Sequence, residues 1–234
     1  MIFDPVFFLF LIPGLAFMLW AQRRVRKKYQ KFSAIGNTAG LTGAQVARRL
    51  LDAHGLHDVA VERSQGELSD HYDPRDRVVR LSEGVHDAPT VAALGISAHE
   101  VGHAIQHAQA YAPLKARTAI VPVVSIGSNA GMIVLMIALF IGSLPLGWLG
   151  VGLFALATLF ALITLPVEFD ATRRAKLALA QAGISGRTHD VEDAEGVGEV
   201  LDAAAWTYIA GFAASLLTLL YYIQLMTGMR SSEN

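Results

Sequence analysis

Four ionisable side chains fall within one short segment, SAHEVGHAIQHA, residues 97–108: His99, Glu100, His103 and His107. Its first part, His99-Glu100-Val101-Gly102-His103, is an HExxH pattern. On a helix, positions i and i+4 lie on one face, a turn apart, so two imidazoles so placed reach a single metal ion. The glutamate one position on is rotated by about 100°, which carries its carboxylate to the open side of the metal rather than into the ligand set. There it takes a proton from a water polarised by the metal and returns it to the leaving group. Imidazoles with a carboxylate favour zinc, although imidazoles also suit nickel, copper and iron. The pattern points to metal-dependent hydrolysis with Glu100 as the general base.

The segment does not complete such a site, because a catalytic zinc takes three protein ligands and keeps one open position. His107 lies eight residues from His99, about 12 Å along a continuous helix axis, whereas zinc–nitrogen bonds are about 2 Å. The longer HExxHxxGxxH pattern would place its third histidine at 109, which is Gln109. His107 is therefore expected to line the site or to be buried, not to bind. Later acids occur in LPVEFDATRRAKLALAQAG, residues 165–183. Glu168 and Asp170 are two residues apart and face different directions on a helix, so only one can bind. Ala171, Thr172, Ala175 and Leu179 give Glu168 a small, partly apolar face suited to packing on the motif helix. Asp170 instead precedes Arg173 and Arg174 by three and four residues, which reads as ion pairing. Spacing favours Glu168 and leaves Asp170 as the alternative. His54, His57, His86 and His189 carry no partner pattern.

The elements that must position these residues are mostly apolar. The 234 residues are 53% hydrophobic and 17% charged, with net charge −1 and no cysteine; mean hydropathy is +0.41. That balance excludes an ordinary soluble domain, and the absence of cysteine excludes disulfides and thiolate metal ligands. No basic face suggests nucleic acid. Long apolar runs cover Ile2–Ala21, Ala119–Ile141, Trp148–Leu165 and Trp206–Met226, each close to the roughly 20 residues a bilayer span needs. The first is followed, not preceded, by basic residues (RRVRKKYQK, 23–31), which reads as an uncleaved anchor rather than a signal peptide. The uncharged link GSLPLGW makes the second and third runs a tight hairpin.

Basic residues fall on one side of four such spans: Arg23 to Lys31, Lys115 with Arg117, and Arg173 to Lys176. The positive-inside rule places that side in the cytoplasm. The expected organisation is a first transmembrane helix (1–21), a cytoplasmic catalytic insert (22–118), a transmembrane hairpin (119–167), a cytoplasmic helical segment with the third ligand (168–205), and a fourth transmembrane helix with a short tail (206–234). Within the insert, LTGAQVARRLLDAHGL (41–56) has helical spacing with Thr42 as cap, VAVERS and RVVRLS read as strands, and YDPRD as a turn. Residues 88–110 read as a helix with Pro89 in its first turn.

HEVGHAIQ, then a hairpin of two spans, then PVEFDATRRA, resembles the YugP-type membrane zinc metallopeptidases of bacteria, and LTGAQVARRLLDAHGL, GELSDHYDPRDRVVRLS and VPVVSIGSNAG extend the resemblance over nearly the whole chain. More distantly it is similar to the membrane gluzincins related to the HtpX and CAAX-prenyl proteases. There the zinc ligands are the two motif histidines and a glutamate opening an ExxxD motif. The resemblance implies His99, His103 and Glu168 as ligands, with Thr172 standing where the aspartate would be. It also implies a substrate-aligning edge strand, for which RVVRLS is the candidate, with His71 and Tyr72 as candidate oxyanion or substrate contacts; the alternative, which the residues themselves favour, is a turn whose His and Tyr simply cap and pack.

The expected fold is a mainly α integral membrane protein, with about four transmembrane helices and a small cytoplasmic α+β, zincin-like insert carrying HExxH. The expected function is a zinc-dependent endopeptidase of the bacterial cytoplasmic (inner) membrane, acting on membrane-associated or unfolded proteins from the cytoplasmic side, with Zn2+ as cofactor. The competing readings are a zinc-stabilised adaptor without activity, and an intramembrane protease. The first has no use for Glu100; the second needs a longer and less polar motif helix.

Overall fold

A computed structural model describes residues 5–185 and 191–232 of the chain. Among them the order is α1 (Pro5–Ser33), α2 (Gly43–Ala53), β1 (Ala60–Ser64), β2 (His71–Asp73), β3 (Val78–Ser82), α3 (Glu83–His86), α4 (Val91–Ala108), α5 (Ala112–Ile141), α6 (Leu144–Gln181) and α7 (Val191–Ser232). The protein is mainly helical, as expected. It divides into two compact units: Met1–Ala21 with Lys115–Pro166 and Thr207–Asn234, and Gln22–Leu114 with Val167–Trp206.

The first unit is built from the apolar parts of α1, α5, α6 and α7, four helices long and apolar enough to cross a membrane. Its core gathers Leu135, Val151, Tyr221, Tyr222 and Met226. Phe7 meets Tyr221 edge-on at 5.1 Å between ring centres, and Phe154 meets Tyr222 at 5.3 Å. Small residues bring the backbones together: a Cβ on Gly150 would sit 2.9 Å from Leu135 N, the close approach that drives helix association in lipid. Large apolar side chains such as Leu9, Ile126 and Phe140 face outward, as hydrocarbon contact permits. The helices outrun the apolar stretches because the Arg, Lys, Ala and Glu that follow are strong helix formers. The GSLPLGW link shrinks accordingly to Gly142, at φ +71°, and Ser143; Pro145 falls in the first turn of α6, where a missing N–H costs nothing.

The second unit holds the sheet and the motif helix. Thr42 and Gln45 form a capping box at the start of α2, whose buried Val46, Ala47, Leu50 and Leu51 join a core with Val79, Leu81, Leu94, Ala98 and Leu179. The sheet order is β1-β3-β2. β1 pairs parallel with β3, Ala60 opposite Val78, and β2 pairs antiparallel, Tyr72 opposite Val79. RVVRLS therefore runs through the centre and is no edge; its Val78, Val79 and Leu81 are fully buried, as a central strand favours. The edge is β2, and YDPRD is its end plus the turn behind it rather than a plain turn. α4 starts later than its sequence suggests. Thr90 caps it by accepting from Ala93 N at 3.2 Å, and Pro89 precedes the cap, where its carbonyl accepts from Asn37 N at 2.9 Å.

Candidate metal centre

α4 sinks one face into the second unit's core through Leu94, Ala98, Val101 and Ile105. Four-residue spacing puts His99 and His103 side by side, with ring centres 4.8 Å apart and planes at 86°. Both side chains are largely covered. Between them Gly102 meets α6 so closely that a Cβ would lie 2.5 Å from Ala171 O; only hydrogen fits there. Glu168, three residues before Ala171, is thereby brought to the imidazoles with 2% of its surface exposed. Its Oε2 lies 3.2 Å from His99 Nε2 and 3.5 Å from His103 Nε2. Four tetrahedral ligands at zinc's bond lengths stand about 3.3 Å apart, so the donor types and their spacing fit a zinc ion. Among the described residues, His99, His103 and Glu168 form the group able to hold a metal ion.

The nitrogens turned away from Glu168 also have partners. His103 Nδ1 lies 3.0 Å from Gln106 Oε1, and His99 Nδ1 lies 3.3 Å from Thr172 Oγ1. Thr172 thus stands against His99 from the position at which the resembled motif has an aspartate. Asp170 is not part of the donor group. It pairs with Arg173 and Arg174 and accepts from Gln106 Nε2 at 3.0 Å. Burial alone would lower the pKa of His103; the hydrogen bond and charge of Glu168 override it and raise that value.

The family described as "Putative neutral zinc metallopeptidase" matches residues 7–227. The chain belongs to this family. A relative from Bacillus subtilis (strain 168), "Putative membrane protease YugP", is 42% identical over 227 residues, covering 97% of this chain and 99% of that protein. No solved structure gives a significant match. In this zinc metallopeptidase family the metal is zinc, and the donor group above can receive it.

Around the centre of this family member, Glu100 is buried on α4. Asp70 lies within reach of its charge: burial raises the Asp70 pKa, hydrogen bonds from Ser82 oppose this, and Glu100 adds to the rise. Tyr72 and His71 part company, because neighbouring strand residues point to opposite faces. The Tyr72 hydroxyl reaches α4, 2.8 Å from His107 Nδ1. His71 is exposed, its Nδ1 donating to Ser69 O at 2.8 Å. His107 is itself exposed rather than buried. His54 bonds to Leu50 O, His57 to Asp52 and His86 to Asp87; His189 lies outside the described residues. Sequence reasoning passed over Gln106. The signal available was its place three residues after His103, on the same helical face.

Proposed function

We propose that the chain is a membrane-embedded zinc endopeptidase that hydrolyses peptide bonds of membrane-associated or unfolded proteins, with its centre on the cytoplasmic side. The observation that carries this reading is the juxtaposition of the Glu168 carboxylate with His99 and His103, at 3.2 and 3.5 Å, with a glutamate on the position after His99 of the same helix. His99, His103 and Glu168 are the ligands. Zinc, when bound there, supplies a Lewis acid that polarises the scissile carbonyl and acidifies water. Glu100 is the general base: it takes the proton of the attacking water and hands it to the departing amine. Its place on α4, one residue after His99 and buried in the same helix, supports that role. β2, a free sheet edge that contacts α4, offers backbone groups to an extended peptide. Tyr72, hydrogen-bonded beside α4, is the better placed of the two proposed oxyanion contacts; His71 points the other way.

The basic residues after the first run (Arg23 to Lys31), before the second (Lys115, Arg117) and after the third (Arg173 to Lys176) support the cytoplasmic placement. The test is Glu100→Gln in the full chain. Zinc content stays at the wild-type level and cleavage of an unfolded protein substrate is lost. A variant that retains cleavage rules out the mechanism.

A further inference from the structure

Gln106 is a fully buried polar side chain that touches a proposed ligand and that hydrolysis itself does not use; its exposure is 0%. Its amide is held from behind. Nε2 donates to Val167 O at 2.8 Å and to Asp170 Oδ2 at 3.0 Å. A backbone carbonyl and a carboxylate only accept, so the amide nitrogen must face them and the amide oxygen must face His103. That oxygen lies 3.0 Å from His103 Nδ1. A carbonyl oxygen has no proton to give, so Nδ1 carries one. A neutral imidazole carries a single proton, and Nε2 is left with its lone pair. Nε2 is the nitrogen that faces Glu168.

We propose that Gln106 is a positioning residue that fixes the tautomer and ring orientation of His103, so that Nε2 is the atom offered to the metal. The proposal rests on His103 being a ligand. Asp170 belongs to the same device: it anchors Gln106 and is itself anchored by Arg173 and Arg174. The acid that competes with Glu168 in the sequence thus acts at one remove, through an amide and an imidazole. Among the described residues, His99 has no equivalent clamp. Its Nδ1 faces the Thr172 hydroxyl, which can donate or accept, so that contact selects no tautomer. The two histidines are held unequally, and His103 is the preorganised one.

The experiment measures zinc affinity of the purified full chain by competition with a chelator, for wild type, His103→Ala, Gln106→Met, Gln106→Glu and Asp170→Asn, beside the melting temperature of each metal-free protein. Removing the partner of a ligating histidine lowers metal affinity by about 10- to 100-fold, and Gln106→Met is expected in that range. Gln106→Glu keeps an oxygen for Nδ1–H while losing the donor that faces Val167 and Asp170. It is expected to melt lower than wild type yet to bind zinc near the wild-type affinity. Asp170→Asn leaves Val167 O in place and is expected to lose less than Gln106→Met. Substituting Co2+ gives a second readout: its absorption spectrum is altered in Gln106→Met and kept in Gln106→Glu. Wild-type affinity in Gln106→Met overturns the proposal, as do losses in Met and Glu variants that simply track their melting temperatures. Wild-type affinity in His103→Ala overturns instead the ligand set on which it rests.

Discussion

The two units of the protein are fastened by different means. The first relies on shape: edge-on aromatic pairs, and glycines that let backbones meet, such as Gly150 against Leu135. The second relies on both shape and directed hydrogen bonds, from the Thr42–Gln45 box to the Gln106 clamp. In hydrocarbon, apolar side chains gain nothing by leaving lipid for protein, so close packing has to do the associating. Beside a metal, each imidazole must show one nitrogen and not the other, which requires polar partners of fixed sense. The contrast predicts that substitutions in the two units damage different properties.

The largest effect belongs to Glu100→Gln, which removes the proposed base from the second unit without touching a proposed ligand. Cleavage falls by about 100- to 10,000-fold, with zinc retained, as read by turnover beside metal analysis. Next is Gly102→Ala. Its Cβ would press on Ala171 O and cost about 1–3 kcal/mol as overpacking does; because Glu168 is one turn away, zinc affinity falls as well. Gly150→Ala provides the matched control in the first unit. Its Cβ meets Leu135 N, stability falls by a similar or smaller amount, and zinc affinity stays unchanged. If Gly150→Ala weakened zinc binding as much as Gly102→Ala, the division of labour would be wrong. Thr158→Val is milder. It deletes the 2.7 Å bond to Ser215 Oγ, and bonds of that kind in membrane proteins average about 0.6 kcal/mol.

The smallest effect is one of pH. Burial raises the Asp70 pKa above the ordinary aspartate range in the folded protein. The folded state therefore holds that proton more tightly than the unfolded state. The contribution is fully present below the unfolded pKa and is lost as pH rises through the folded one. Asp70→Asn, which can still accept from Ser82, is expected to flatten the acid-side change in melting temperature. Parallel melting curves against pH for the two proteins would remove Asp70 from the account.

Much of this was legible because it is local. HExxH declares its own geometry, Thr42 with Gln45 announces a capped helix, and apolar runs identify the four helices able to span. What escaped was non-local. β2 has three residues, too few to show alternation, and only its insertion makes β3 central, so RVVRLS read as an edge. The ends of the long helices were hidden because hydropathy reports the surroundings of a backbone, not its conformation. Thr90 escaped because Pro89 looked like the start of the helix it in fact precedes. Gln106 finds Val167 and Asp170 at separations of 61 and 64 residues, which no window reveals. Gly102 read as an unspecified position inside HExxH; the neighbour that forbids a side chain there, Ala171, lies on another element.

Under the proposed ligand set, His99 and Glu168 stand 69 residues apart in the chain, with two candidate spans drawn from the interval. At synthesis rates of about 5–20 residues per second, the second ligand type emerges about 3 to 14 seconds after the first. Until then the nascent protein carries His99, Glu100 and His103 without the third donor of the group able to hold a metal ion. The order of these residues along the chain thus sets the order of assembly: the third donor is made only after most of the hairpin that separates it from the motif helix.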